Sequence, residues 1–251
     1  MIISLVNQKG GVGKTATALS VGASLALKGR KVLLIDTDPQ GSLTTSAGVE
    51  LGENDPTVYE VLQGQASIND AIKNAGAYDV VPADISLSGA DITLASVAGR
   101  DFMLKEAIAD LKTTYDYIII DCPPSLSILT LMNLTASNSV IIPVQATYLA
   151  LKGMAQLLDT IKLVKKRLNP ELEILGAVVT MYDRRKNLDN EILENIRETF
   201  PGKTFNTTIS SNVALAEAPA FGKDIYSYKP TSKGATQYEE LTKEILERCE
   251  K

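Results

Sequence analysis

At 251 residues with 45% hydrophobic content, the chain is long enough to bury a substantial core, and no Pro/Gly/Ser-rich linker divides it, so a single domain over residues 1–251 is expected. Thirty acidic residues against 25 basic ones give a formal charge of −5, which excludes a surface built throughout to coat nucleic acid while leaving room for a local basic patch. The absence of histidine excludes Ser-His and Cys-His nucleophilic pairs, and two cysteines as far apart as Cys122 and Cys249 exclude a disulfide framework, a zinc ribbon or a cluster site.

The first apolar run, 2–6, leads directly into Lys9-Gly10-Gly11-Val12-Gly13-Lys14-Thr15 and then, from Ala16 on, into a small-residue helical stretch over 14–28. That is the setting of a phosphate-binding loop. Glycines let backbone amides turn inward on phosphate oxygens, the helix start adds its positive dipole end, Lys14 adds charge and the Thr15 hydroxyl adds a magnesium ligand. Lys9 is surplus to binding one nucleotide in one subunit and suggests a second role.

The next run, 31–36, closes on Asp36 and Asp38, whose side chains leave the same side of an extended strand. In a chain without histidine, one of these carboxylates is the expected group to orient or deprotonate an attacking water; the competing explanation is that both cap the loop at Gly41. Residues 44–76 are less regular, with short helices expected at Thr57–Gln63 and Ser67–Asn74, capped by Thr57 and Ser67.

Further strands are expected at about 78–82, 117–121, 139–144 and 174–180, and helices at 100–112, 126–136, 148–168 and 188–199. The strand runs are mostly unbroken rather than alternating, as parallel strands covered on both faces require, and their alternation with helices predicts an α/β fold: a doubly wound, mostly parallel sheet flanked by helices, with ligand bound off the carboxyl ends of the strands. Asp121 closes the run at 117–121, where a magnesium-holding acid belongs. The basic candidates for contact with DNA phosphates are Arg184, Arg185 and Lys186, then Lys203 and Lys223. The cations Lys162, Lys165, Lys166 and Arg167 read more simply as complements to a helix dipole. No charged leader, cleavage site or membrane-length apolar run is present, so a soluble cytoplasmic protein is expected.

Together these segments resemble the ParA/MinD group of P-loop NTPases with a deviant Walker A motif, whose signature is KGGxGK[ST]. Asn7-Gln8, Leu33 to Gly41, Asp121-Cys122-Pro123-Pro124-Ser125, Pro143-Val144-Gln145, Thr180 to Asp183 and Asn212 to Pro219 are similar to ParA-type partition ATPases. The resemblance implies ATP and Mg2+ as ligands, Lys9 to Ala16 around the phosphates, and Met181, Asn212 and Pro219 on the adenine side. It implies Thr15, Asp36 and Asp121 about the metal, with Asp38 placing the water and Lys9 reaching across an ATP-bound homodimer to the partner's phosphates. It further implies non-specific duplex DNA as the carrier, a ParB-like stimulating partner, a nucleoid-associated location and no membrane. Relatives carry Pro-Arg before the Asn-Val pair and often a basic residue after it, where this chain has Ser210-Ser211 and Ala214.

Three rivals share the loop. A MinD-like membrane regulator needs a basic amphipathic tail, whereas 238–251 carries five glutamates against three cations. An electron-transfer protein of the nitrogenase-reductase type needs cluster cysteines. An ATP-dependent amide- or carboxylate-activating enzyme needs a second substrate pocket.

Overall fold

The computed structural model describes residues 1–147 and 150–250, and the side chains of all of these but 150–152. Its strands are β1 (Ile2–Leu5), β2 (Val32–Asp36), β3 (Lys73–Asn74), β4 (Asp79–Val81), β5 (Tyr117–Asp121), β6 (Ser139–Gln145) and β7 (Glu173–Thr180). They form one sheet in the order β3-β4-β2-β5-β1-β6-β7, parallel throughout except for the edge strand β3. Ile2 to Leu5, Val32 to Asp36 and Tyr117 to Asp121 are buried at every position, because helices cover both faces. Alternate residues of one strand enter opposite cores: Ile118 and Ile120 pack on one side of the sheet, Tyr117 and Ile119 on the other.

The helices are α1 (Lys14–Leu27), α2 (Ser42–Ser46), α3 (Val58–Leu62), α4 (Ile68–Ala71), α5 (Ala90–Thr93), α6 (Met103–Ala107), α7 (Ile128–Ala136), α8 (Ala150–Arg167), α9 (Asn187–Thr199), α10 (Val213–Glu217), α11 (Ile225–Tyr228) and α12 (Lys233–Cys249). One face is covered by α1, α2 and α12, through Leu19, Leu25, Leu43, Tyr238, Leu241 and Ile245. Helices α3 to α9 cover the other, with Val58, Leu104, Met132, Leu157 and Ile192 among the buried contacts. The apolar side of α12 is thus part of the core, and the Tyr238 hydroxyl lies 3.1 Å from the Thr17 hydroxyl on α1.

Thr57 and Ser67 cap α3 and α4 as expected, each with a reciprocal acid three residues on, Glu60 and Asp70. The second of these helices is shorter than Ser67–Asn74: Ile72 is already extended, and Lys73–Asn74 becomes β3, antiparallel to β4 across a turn at Gly76. The helix expected at 100–112 is also divided. A 3-10 turn at Arg100–Phe102 precedes α6, and another at Asp110–Thr113 follows it. Leu104, Ile108 and Leu111 are all buried; tightening after Ile108 to three residues per turn keeps Leu111 on the inner face. The start of the helix expected at 148–168 lies outside the described residues, as does Lys251.

Candidate active site

The loop between β1 and α1 is shaped by Gly11 (φ 70°) and Gly13 (φ 87°), both in the left-handed region that a side chain resists. Gly13 precedes α1, which has neither a side-chain cap nor an acid in its first turn, so the first N–H groups and the positive end of the helix dipole are left for a ligand. Neighbouring strand ends fix the loop. The Thr180 hydroxyl donates to the Val12 carbonyl (2.8 Å), and the Asn7 amide donates to the Pro143 carbonyl (2.7 Å) while its oxygen accepts from Lys9 N–H (3.0 Å).

Lys14 is buried, its Nζ donating to the Lys9 carbonyl at 3.4 Å. Burial pushes the ammonium pKa down, opposed by the nearby Asp121, Cys122 and Asp38. The Thr15 hydroxyl donates to Asp121 Oδ2 at 2.6 Å, while Oδ1 of the same fully buried carboxylate has no hydrogen-bond partner. Burial is the main reason the Asp121 pKa rises to about 8, with Asp36 adding to the rise and Thr15 and Lys14 opposing it. An orphaned buried oxygen beside a hydroxyl matches a hard divalent cation. Among the described residues no three acidic or cysteine side chains converge on a metal-sized point.

Asp36, expected about the metal, is held by hydrogen bonds from the turn and helix that follow it. Its fully buried carboxylate accepts from the Thr44 N–H (2.9 Å), the Thr44 hydroxyl (2.8 Å) and the Asp38 N–H (3.1 Å). Burial raises its pKa to about 6 despite those bonds. It ties the turn after β2 to α2 and leaves Asp38 as the accessible acid, half-buried, with Oδ1 accepting from Gln40 N–H at 3.0 Å.

A cavity of about 390 Å³ opens beside the loop, lined by Gly11, Gly13, Thr15 and Ala16, by Leu19, Ser20, Ser42 and Ser46 of the neighbouring helices, and by Met181, Leu215, Ala218, Pro219, Lys223 and Ile225. Asn212 does not line it; its side chain caps α10 by accepting from the Ala214 N–H at 2.9 Å. The wall is apolar enough for a base and ribose, and the phosphate loop forms its floor.

The family model described as an AAA domain matches residues 1–174. The chain is 48% identical over 246 residues to the sporulation initiation inhibitor protein Soj of Bacillus subtilis, covering 97% of each. It is 47% identical to the chromosome-partitioning ATPase Soj of Treponema pallidum, covering 97% of this chain and 96% of that one. The chain belongs to the Soj/ParA family of partition ATPases. Among solved structures, a Mycobacterium smegmatis protein named cobyrinic acid a,c-diamide synthase, with a bound ATP analogue and magnesium, superimposes with a TM-score of 0.85 at 38% identity, covering 96% of this chain and 92% of that one. ATP and Mg2+ are therefore the ligands of this Soj/ParA member, and ATP hydrolysis its reaction.

Within that family site, Lys9 lies against its own subunit, its Nζ donating to Gln145 Oε1 (3.2 Å) and Thr147 Oγ1 (3.1 Å). The basic residues expected on DNA do not form one surface. Lys223 stands at the nucleotide cavity. Lys203 pairs with Glu173 at the amino end of β7, whereas Arg184 to Lys186 follow its carboxyl end, roughly 25 Å away along an eight-residue strand. Arg184, Arg185 and Lys186 instead share a cleft of about 760 Å³ with Lys233, Ser210, Ser211 and Gln237. Lys233, at the start of the acidic helix α12, joins this cleft without any local sequence signal that sets it apart. Lys223 comes to the nucleotide cavity through a loop whose local sequence gives no sign of that place.

Proposed function

We propose that residues 1–251 form a single ATPase domain that dimerises around ATP, binds duplex DNA without sequence preference in that state, and is released when a ParB-like partner stimulates hydrolysis. In this reading Asp121 and Thr15 hold Mg2+, which supplies charge neutralisation at the phosphates, Asp38 orients the attacking water, and Lys14 and the loop amides bind the triphosphate. Met181 and Pro219 flank the base. The observation that carries the DNA contact is the cleft after β7, where Arg184 and Lys186 are exposed with no carboxylate in salt-bridge range among the described residues, and Lys233 joins them from α12. Arg185 contributes less, since its guanidinium is bound in two places by Asp183 (2.9 and 2.8 Å).

A nucleoid-associated location follows from the same contact. A membrane carrier is disfavoured because the apolar side chains Tyr238, Leu241 and Ile245 of α12 are buried on the sheet. The Mycobacterium smegmatis relative, named for an amide-forming synthesis, favours a second reading as an amide-forming enzyme. Turnover per chain that is independent of enzyme concentration would support it.

The test is retention on duplex DNA of unrelated sequences with ATP and with ADP, at two salt concentrations. ATP-dependent retention is expected, with a log–log salt slope of about −0.9 per phosphate neutralised. Arg184→Ala and Lys233→Ala should each weaken it, by more than Arg185→Ala or Lys203→Ala. Absence of retention with ATP at low salt would remove DNA as the carrier.

A further inference from the structure

Lys9 is a charged side chain held by two neutral acceptors. Among the described residues no carboxylate lies within salt-bridge distance of its ammonium; the contacts are the Gln145 amide oxygen and the Thr147 hydroxyl, both at the carboxyl end of β6. The Gln145 amide is itself oriented. Its Nε2 donates to Met181 Sδ at 3.2 Å, so its oxygen faces the cation, and the flipped arrangement would turn N–H groups towards an ammonium. Met181, an exposed side chain, is the one non-glycine residue with positive φ (54°) among those described; it follows β7 and lines the nucleotide cavity. Two hydrogen bonds tie these pieces together, one from Ala146 N–H to the Thr180 carbonyl and one from the Thr180 hydroxyl to the Val12 carbonyl of the phosphate loop.

We propose that Gln145, assisted by Thr147, is a positioning residue that docks Lys9 on its own subunit and yields it when an anionic phosphate of a second subunit competes. The inference rests on the reading of Lys9 as a contact made across a dimer. An ammonium donating to an amide oxygen and a hydroxyl is oriented but not neutralised, and a phosphate oxygen offers the full opposite charge. The docked arrangement therefore resists loss of Lys9 to solvent while giving way to an ATP-loaded partner. A carboxylate at position 145 would not give way so readily, because it would satisfy the charge in place.

Opposite substitutions should then move the protein in opposite directions, which a merely structural role would not produce. In nucleotide-free protein, acylation of the Lys9 amine by a small amine-reactive ester, read at Lys9 by mass spectrometry, should be about threefold faster in Gln145→Ala and about threefold slower in Gln145→Glu. Thr147→Ala should be faster by a smaller factor. The ATP concentration for half-maximal dimerisation should fall in Gln145→Ala and rise in Gln145→Glu, each by about threefold, and Gln145→Ala should not restore dimerisation in a Lys9→Ala background. Unchanged Lys9 labelling, or shifts of the same sign in both Gln145 variants, would overturn the docking. Normal dimerisation of Lys9→Ala, with labelling responding as expected, would instead overturn the reading of Lys9 as a cross-dimer contact, and the gating role with it.

Discussion

Asp121 and Asp36 are carboxylates enclosed where water cannot solvate their charge, and this makes the empty protein and the loaded protein respond differently to pH. Their pKa values in the folded state, about 8 and about 6, lie above the unfolded value of 3.8. Between those limits the native state keeps protons that the unfolded chain has released, so stability contributed by these groups is greatest at the acidic end and falls as pH rises towards about 8. Partly exposed acids such as Asp183, held below the carboxylate range by Arg185, act in the opposite sense and lose their contribution only in strong acid. The expected outcome is a thermal midpoint of nucleotide-free protein that declines from pH 5 to pH 8, with Asp121→Asn flattening the part above about pH 6. ATP with Mg2+ should restore the wild-type midpoint at pH 8 but not that of Asp121→Asn. Identical slopes for wild type and Asp121→Asn in differential scanning fluorimetry would show that Asp121 ionises without cost.

The wall of the nucleotide cavity depends on two short elements meeting backbone to backbone. Gly48, just after α2, and Gly222, before α11, are both left-handed, and a Cβ built on Gly222 would stand 2.8 Å from Gly48 Cα. Gly222→Ala therefore combines a left-handed penalty of about 1–2 kcal/mol with a clash that no rotamer relieves. Separating the pair should loosen Leu215, Pro219 and Ile225 from the cavity while sparing the phosphate loop. The expected result is an ATP KM raised about tenfold with kcat little changed, because base contacts are made equally in ground and transition states. A loss confined to kcat would show that the segment acts on the chemistry instead. At this scale the sequence was legible where a signal is local: the Thr57 and Ser67 capping boxes each occupy four consecutive residues. It was not legible at 100–112, where apolar spacing suits either a straight helix or one tightened past Ile108, and burial of Leu111 decides. Nor was β3 visible, since Lys73–Asn74 has no strand character of its own and pairs only because the turn at Gly76 returns it to β4.

Across the whole molecule, the parts of the site carried by contiguous chain could be read in advance, and the parts assembled by folding could not. Lys9 to Thr15 and Asp121 declare themselves as motifs at strand ends, whereas the basic cleft gathers residues 182–186, 208–211 and 233–237 onto one end of the sheet. Within one subunit Lys14 turns back onto its own loop, Lys9 rests on Gln145 and Thr147, and among the described residues no arginine lines the nucleotide cavity, while charge developing on the phosphates calls for a cation. If a second subunit supplies that cation through Lys9, ATP turnover per chain should rise with protein concentration and then saturate. Lys9→Ala should bind ATP with near wild-type affinity, measured with a fluorescent analogue, yet hydrolyse at least about a hundredfold more slowly, the scale of losing one transition-state charge contact. Lys14→Ala should fail to bind ATP but keep its own Lys9 available. Mixing the two inactive proteins then tests the direction of the contact: a Lys14→Ala subunit can offer Lys9 to ATP held by a Lys9→Ala subunit, and phosphate release should partly recover in the mixture. Recovery requires the lysine to act across the interface. A mixture as inactive as its components, together with heterodimers visible in light scattering, would place the Lys9 contribution within its own subunit, where Gln145 and Thr147 already hold it.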